Sequence, residues 1–327
     1  MYTDVLPKVL NMYGIEYKHI YDSQKGYRNE IWPVLSTDGK MLNVTFFKRE
    51  SGIVGRINRA DMVSKFLADN GIPARKRLDQ RLLYLKSSTS ITSICIYNYL
   101  PGNTIPWEAY TMSHIKQLGM TMSNMHSVLS NFHAENFPSV YDEYINIIEQ
   151  IRKYFSDDYI VVAVRKKLGI SVDVSRLEKY SQLLRKKILK PTQQVLHMDF
   201  VRGNILFDEK GNISGILDFE KTTIGHVVVD VARTLAFLLA DCKYKPADKV
   251  YKYFLRSGYL KRGQTKVIGE KADLEILVEM FLVYDLYKFM RHNPYEFLNQ
   301  NEHYIRTRDI LVSRGVISLL VINEGSE

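Results

Sequence analysis

The chain has only two cysteines in 327 residues, Cys95 and Cys242. Two are too few for a disulfide framework, and their spacing suggests no zinc site. A reducing, cytoplasmic compartment is the default that follows. Long hydrophobic runs are missing too. No stretch approaches ~18 consecutive apolar residues, so no transmembrane helix is expected. The opening MYTDVLPKVLNMYG has Asp4 and Lys8 early and no unbroken apolar core, so it does not read as a signal peptide. There is no internal repeat and no low-complexity linker. The excess of positive charge, +9, is moderate and spread along the chain. Its densest groups, Arg165-Lys166-Lys167 and Arg185-Lys186-Lys187, sit in helical patterns with no aromatic platform between them. They read as solvated helix faces, so neither nucleic acid nor a membrane is expected as a partner.

What is present is an apolar content of 46%, enough for a large core. The first part of the chain alternates like strands. Asp4–Gly14 reads as a short helix, and Glu16–Tyr21, Glu30–Leu35 and Met41–Lys48 read as strands, the last two joined by the hairpin signal Asp38-Gly39. Arg59–Asn70 has a helical period and stops at Gly71, and Arg81–Lys86 and Ser93–Tyr99 are again strands. After Leu100-Pro101-Gly102 the period becomes helical: Tyr110–Leu129, Val140–Phe155, Val174–Leu189, Val231–Ala240, Ala247–Ser257, Leu274–Met290 and Ile305–Val312. Only one hairpin is expected to interrupt these helices. The fold class is therefore α+β, with a small, mainly β lobe over residues 1–99 and a larger, mainly α lobe over residues 100–327.

That hairpin carries the chemistry. In Val195–Asp218, Ile205–Asp208 and Ile213–Leu217 are β-branched runs around a turn at Gly211. Folding there pairs Leu206 with Ile216 and sets Asn204 opposite Asp218. Opposed residues have Cβ atoms only ~5 Å apart. An amide oxygen and a carboxylate at that separation can hold one Mg²⁺, which takes a few hard oxygen ligands plus phosphate. Asp199 lies on the loop leading in, free to accept a proton from an attacking hydroxyl. The plainer alternative is that Asn204 and Asp218 cap a hairpin and Asp199 caps a helix. Asp230 precedes the apolar run Val231–Leu239, and a helix N-cap is enough to explain it.

The pattern His197-x-Asp199-x4-Asn204, then a hairpin and Asp218-Phe219, resembles the catalytic and metal-binding segments of protein kinases. With Gly225…Asp230-Val231-Ala232 added, it is more similar to the aminoglycoside phosphotransferase and choline kinase superfamily. The resemblance implies a protein-kinase-like two-lobed fold with the nucleotide enclosed between the lobes. It also implies Asp199 as catalytic base, Asn204 and Asp218 as metal ligands, and His197 and Asp230 as braces of the catalytic loop. Met198 stands where the family commonly has glycine, which leaves the loop less free to take unusual dihedrals. Glu220 after Asp218-Phe219 is similar to the choline-kinase-like members.

The resemblance also outlines a site for ATP or GTP. Lys48, ending a strand, would pair with the phosphates, and Asp61 is the acid nearest to the helix position that partners such a lysine. Phe46 is bulky where the family has a smaller residue near the adenine. The G-x-G-x-x-G loop is absent, and Gly26-x-x-Asn29 takes its place either as a phosphate-covering loop or as an ordinary turn. Tyr97, Asn98 and Tyr99 would offer backbone groups to the base. For the acceptor, Glu220, Glu279 and Asp285 are candidate acids for an amine. The family implies a small hydroxylated molecule: an aminoglycoside first, or else choline or homoserine. A nucleotide-binding pseudokinase is the reading from a different class. A monomer or a homodimer is expected.

Overall fold

The computed structural model describes residues 2, 4–25, 29–47, 49–87, 90–188, 193–242, 244–262 and 271–320. Its chain divides into two units, residues 1–104 with 204–221 and residues 105–203 with 222–327.

The first unit is built on an antiparallel sheet. Its strands are β1 (Tyr17–Ile20), β2 (Gln24–Lys25), β3 (Asn29–Ser36), β4 (Met41–Phe47), β5 (Leu83–Ser87) and β6 (Ser90–Asn98). The order is β1-β3-β4-β6-β5, with β2 on β3. Two helices sit with it, α1 (Leu6–Met12) and α2 (Ile53–Asp69). The alternation of β4 separates two cores. Val44 and Phe46 pack with Leu6, Val9 and Leu10 of α1, and the Phe46 ring stacks on Tyr2 at 4.1 Å. Phe47 packs instead with Ile57 of α2, Cys95 and Tyr97. Phe46 therefore belongs to the α1 core, which explains its bulk without reference to a nucleotide. Helix α2 starts six residues before the expected Arg59, directly after Gly52 at φ 70°.

The hairpin groups with this unit. Its strands, β9 (Ile205–Phe207) and β10 (Ile213–Ile216), pair Phe207 with Ile213, Leu206 with Gly215 and Ile205 with Ile216. That is one residue away from the register read from sequence. The cause lies in the turn. The Asp208 carboxylate accepts the Lys210 and Asn212 N–H groups, which draws Asp208 into the turn, and Ser214 bulges out to donate to the Pro101 carbonyl at 2.6 Å. Asn204 therefore faces Leu217, whose N–H it accepts at 2.8 Å, and Asp218 follows one residue later. Asn103 and Phe207 exchange backbone hydrogen bonds of 3.0 and 2.9 Å.

The second unit is helical: α3 (Met112–Leu129), α4 (Val140–Phe155), α5 (Asp158–Leu168), α6 (Arg176–Ile188), α7 (Val227–Asp241), α8 (Ala247–Tyr251), α9 (Lys271–His292), α10 (Tyr295–Leu298) and α11 (Glu302–Ser313). The expected helix Ala247–Ser257 is broken, since a π turn at Lys252–Arg256 follows α8. The hairpin is also not the only extended structure among the helices. The β7–β12 pair (Ile170–Val172 with Ile317–Leu319) and the β8–β11 pair (Gln194–Leu196 with Thr223–Gly225) lie within this unit. These three-residue strands are too short to show a period in sequence. The basic group at Arg185-Lys186-Lys187 splits. Arg185 and Lys186 are exposed, but Lys187 is buried on Asp273 at 2.6 Å. Among the described residues no helix is long and apolar enough to cross a membrane.

Gly102 holds the hairpin close. It sits at φ +114°, and a Cβ there would lie 2.2 Å from Ser214 Oγ and 2.7 Å from the Phe207 carbonyl oxygen. Gly102→Ala combines a disfavoured dihedral with a backbone clash, so we expect a loss of about 3 kcal/mol in urea unfolding.

Candidate active site

In the second unit the loop after β8 is held by one carboxylate. Asp230, in the first turn of α7, is fully buried. Its Oδ2 accepts the His197 N–H at 2.8 Å and its Oδ1 accepts the Met198 N–H at 2.9 Å. His126 Nε2 lies 3.1 Å from Oδ2, and the other ring nitrogen is 2.7 Å from the Tyr259 hydroxyl. Asp230 is thus not the N-cap of its helix. His226 is, accepting the Val228 N–H through Nδ1. Burial alone would raise the Asp230 pKa, but the His126 ring and the His197 N–H outweigh it and hold the carboxyl below the ordinary range.

Met198, on that loop, has φ 61°. The loop therefore takes the left-handed dihedral despite lacking the family's glycine. Next along the chain, the Asp199 N–H donates to His197 Nδ1 at 3.2 Å, and the Asp199 carbonyl accepts the Val201 N–H at 2.8 Å. His197 is wholly buried, consistent with a bracing part. A 3-10 turn, Arg202–Asn204, leads into the hairpin.

In the first unit Asp218 also has positive φ, 54°. A short polar side chain tolerates this region better than most. Glu220, two residues on, is buried, and its Oε1 accepts Asn29 Nδ2 at 3.0 Å across 191 residues. Asn29 and Glu220, expected to serve nucleotide and acceptor separately, are therefore bonded to each other. Among the described residues no three or more His, Cys, Asp or Glu side chains form a metal centre. A divalent ion at Asn204 and Asp218 would take its other ligands from phosphate and water, and their amide and carboxylate oxygens suit Mg²⁺.

A second buried polar group surrounds Asp61. Its Oδ1 accepts the Tyr97 hydroxyl at 2.9 Å, and its Oδ2 lies 2.7 Å from Arg77. Burial raises its pKa, opposed by Arg75, Arg77 and the Tyr97 hydroxyl. Lys48 and Gly26 lie outside the described residues. Of the expected base-contacting run, Asn98 and Tyr99 spend their N–H groups on the Lys76 and Met41 carbonyls, and the Tyr97 ring is interior. Glu279 and Asp285 are engaged as well. Glu279 accepts from Arg176 at 3.2 Å and from the Tyr180 hydroxyl at 2.8 Å, and Asp285 forms a bidentate pair with Arg233 at 2.8 and 3.0 Å. These acids brace α9 against α6 and α7, and the geometry does not favour an amine-binding part for them.

A sequence profile of the phosphotransferase enzyme family, APH, matches residues 24–247, more than half of the chain. The chain belongs to this family. It is a small-molecule phosphotransferase with the protein-kinase-like fold. The enzyme is similar to amicoumacin kinase hAmiN in complex with AMP-PNP, Ca²⁺ and Ami, at 15% identity over 96% of each chain and a TM-score of 0.66. It is similar to macrolide 2'-phosphotransferase MphH from Brachybacterium faecium, at 13% identity over 99% of each chain and a TM-score of 0.59. It is also similar to APH(2")-IIia in its GDP and kanamycin complex, at 14% identity over 95% of this chain and 98% of that one, with a TM-score of 0.58. No curated protein matches its sequence.

Sequence reasoning missed two parts of the phosphotransferase's buried framework. His126 and Tyr259, 133 residues apart, bear no local motif, and Arg75 lies in none of the recognised motifs. Only the fold brings Arg75 near the hairpin: two residues before it, the Pro73 carbonyl accepts the Ile216 N–H. Because the folded Asp230 pKa is lowered, its contribution to stability is complete above the ordinary carboxylate value near ~4. It is lost as pH falls through the lower folded value. Asp230→Asn should cost about 3 kcal/mol at neutral pH. The gap between wild type and variant in urea should then narrow in acid.

Proposed function

We propose that the enzyme moves the γ-phosphate of ATP or GTP to a hydroxyl of a small, amine-bearing molecule, with an aminoglycoside as first choice. The observation that carries this reading is the ordered set Asp199, Asn204 and Asp218 on a loop and hairpin whose backbones are tied down at Asp230 and Gly102. Transfer of this kind needs positioning and charge neutralisation more than covalent help from the protein. Asp199 orients the acceptor hydroxyl and takes its proton. Asn204 and Asp218 would hold Mg²⁺, which supplies charge neutralisation at the phosphates when bound. Lys48 would orient the α- and β-phosphates, and Asn29 would steady the loop that covers them.

The neighbours' ligands support a nucleotide and a small acceptor. Amicoumacin kinase is seen with AMP-PNP, and APH(2")-IIia with GDP and kanamycin. The acceptor class rests on this likeness. Choline and homoserine stay in the acceptor panel because of Gly26-x-x-Asn29 and Asp218-Phe219-Glu220.

Asp199→Asn should keep nucleotide affinity in calorimetry and lose roughly 10²- to 10⁴-fold in turnover. Retained turnover would remove Asp199 as the base. Asp218→Ala should abolish the Mg²⁺-dependent part of nucleotide binding, and equal metal dependence in both proteins would refute the metal assignment. Product phosphate should appear with aminoglycosides or amino alcohols in a panel that includes neutral sugars. Turnover confined to neutral sugars or proteins would overturn the acceptor class.

A further inference from the structure

Arg75 is a buried cation that the reading above leaves unused. It is 7% exposed, and its Nε and Nη2 have no hydrogen-bond acceptor. Its guanidinium lies 4.4 Å over the Tyr97 ring, whose hydroxyl donates to Asp61. The backbone brings it level with the metal-binding segment. Ala74 bridges Ile216 in parallel, and the Ile216 N–H donates to the Pro73 carbonyl at 2.6 Å. Counting on from that bridge sets residues 75 and 76 beside residues 217 and 218. Burial disfavours the charge on Arg75, yet the acids facing it, Tyr97, Asp61, Asp218 and Glu220, outweigh burial and raise its pKa.

A guanidinium buried with two of its nitrogens lacking an acceptor is costly unless an anion completes it. The cations that flank Arg75 in sequence are already engaged: Arg77 lies 2.7 Å from Asp61 and Lys76 lies 2.7 Å from Asp69. Among the described residues of β4, Phe47 fills the α2 face with Ile57, Cys95 and Tyr97, while Val44 and Phe46 face α1. A metal ion held by Asp218 would supply positive charge to the nucleotide phosphates, and a cation beside Asp218 would serve the same anionic group. Guanidinium is also the side chain best matched to phosphate, through paired N–H donors.

We propose that Arg75 is a phosphate-binding residue of the nucleotide site, the cation that α2 and the metal-binding segment share. The proposal rests on Asp218 being a metal ligand. It says that affinity for the phosphates, and not for the nucleoside, passes through Arg75.

The test is calorimetry on the full chain with Mg²⁺, using AMP-PNP or GMP-PNP, whichever binds, and the matching nucleoside. Arg75→Met should weaken binding of the triphosphate analogue by roughly tenfold or more, while nucleoside binding stays within about twofold. Arg75→Lys and Arg75→Gln supply an order, wild type then Lys then Gln, that keeps the test open if the Met variant does not fold. Triphosphate and nucleoside affinities falling together would make Arg75 a structural residue and overturn the inference. So would loss of the phosphate preference in Lys48→Met but not in Arg75→Met. Asp218→Asn separates the two levels. If it leaves Mg²⁺-dependent binding intact, the metal reading fails. If it weakens that binding while Arg75→Met changes nothing, only the proposal for Arg75 fails.

Discussion

One buried carboxylate governs the loop that carries Asp199. Asp230 is out of contact with water, so its charge must be met by hydrogen bonds from the protein. Two of them come from the consecutive N–H groups of His197 and Met198. Neighbouring amides can point at one carboxylate only if the backbone turns sharply between them, and Met198 at φ 61° makes that turn. The left-handed dihedral costs roughly 1–2 kcal/mol. Each hydrogen bond to a buried charge contributes roughly 1.5–3 kcal/mol. Two such bonds outweigh the strain, which is why a methionine can stand where glycine is easier. Asp199 follows that turn, so its position is set by an acid 31 residues further along the chain.

The braces extend outward from there. His126 links Asp230 to Tyr259, next to the π turn that ends the α8 segment. This ring has no role in sequence-local structure. It is one member of a chain of polar groups, each buried and each satisfied by the next. Such networks are rigid when complete and costly when broken. The loop carrying the proposed base therefore depends on residues from α3, α7 and the 3-10 turn that begins at Tyr259, while its own sequence shows only His-x-Asp.

Much of this was legible beforehand, and the reasons differ by residue. The lobes were visible because strand alternation gives way to helical period near Gly102. The hairpin was visible because Asp208…Gly211 is a local turn code. Its register was off by one because Ser214 bulges to reach Pro101, a contact 113 residues away that no local pattern carries. Helix α2 was misread at its start, since Gly52 in the left-handed region can open a helix as readily as close a strand. Asp61 and Met62 show the same limit. Amphipathic counting turns Met62 inward, yet Met62 is 50% exposed and Asp61 faces Tyr97 and Arg77. Asp61 enters beside Tyr97 and Arg77, while Ile57, Ala60, Val63 and Leu67 still form the buried apolar face of α2.

The acids of α9 carry a related lesson about function. Asp273, Glu279 and Asp285 recur every six residues, and each meets a basic partner: Lys187, Arg176 and Arg233. The first two clamp α6 near its two ends and so require it to run antiparallel to α9. The third pins α7, the helix that carries Asp230, and its guanidinium lies 3.8 Å from the Phe237 ring centroid. Replacing such buried pairs with apolar residues is often neutral in stability, so their value lies in admitting one register and no other. In sequence these acids beside tyrosines look like a binding surface for an amine. In the fold they are alignment pins, two holding α6 and one holding α7. Asp285 thereby holds the helix that carries Asp230, and Asp230 in turn holds the Met198 turn that precedes Asp199.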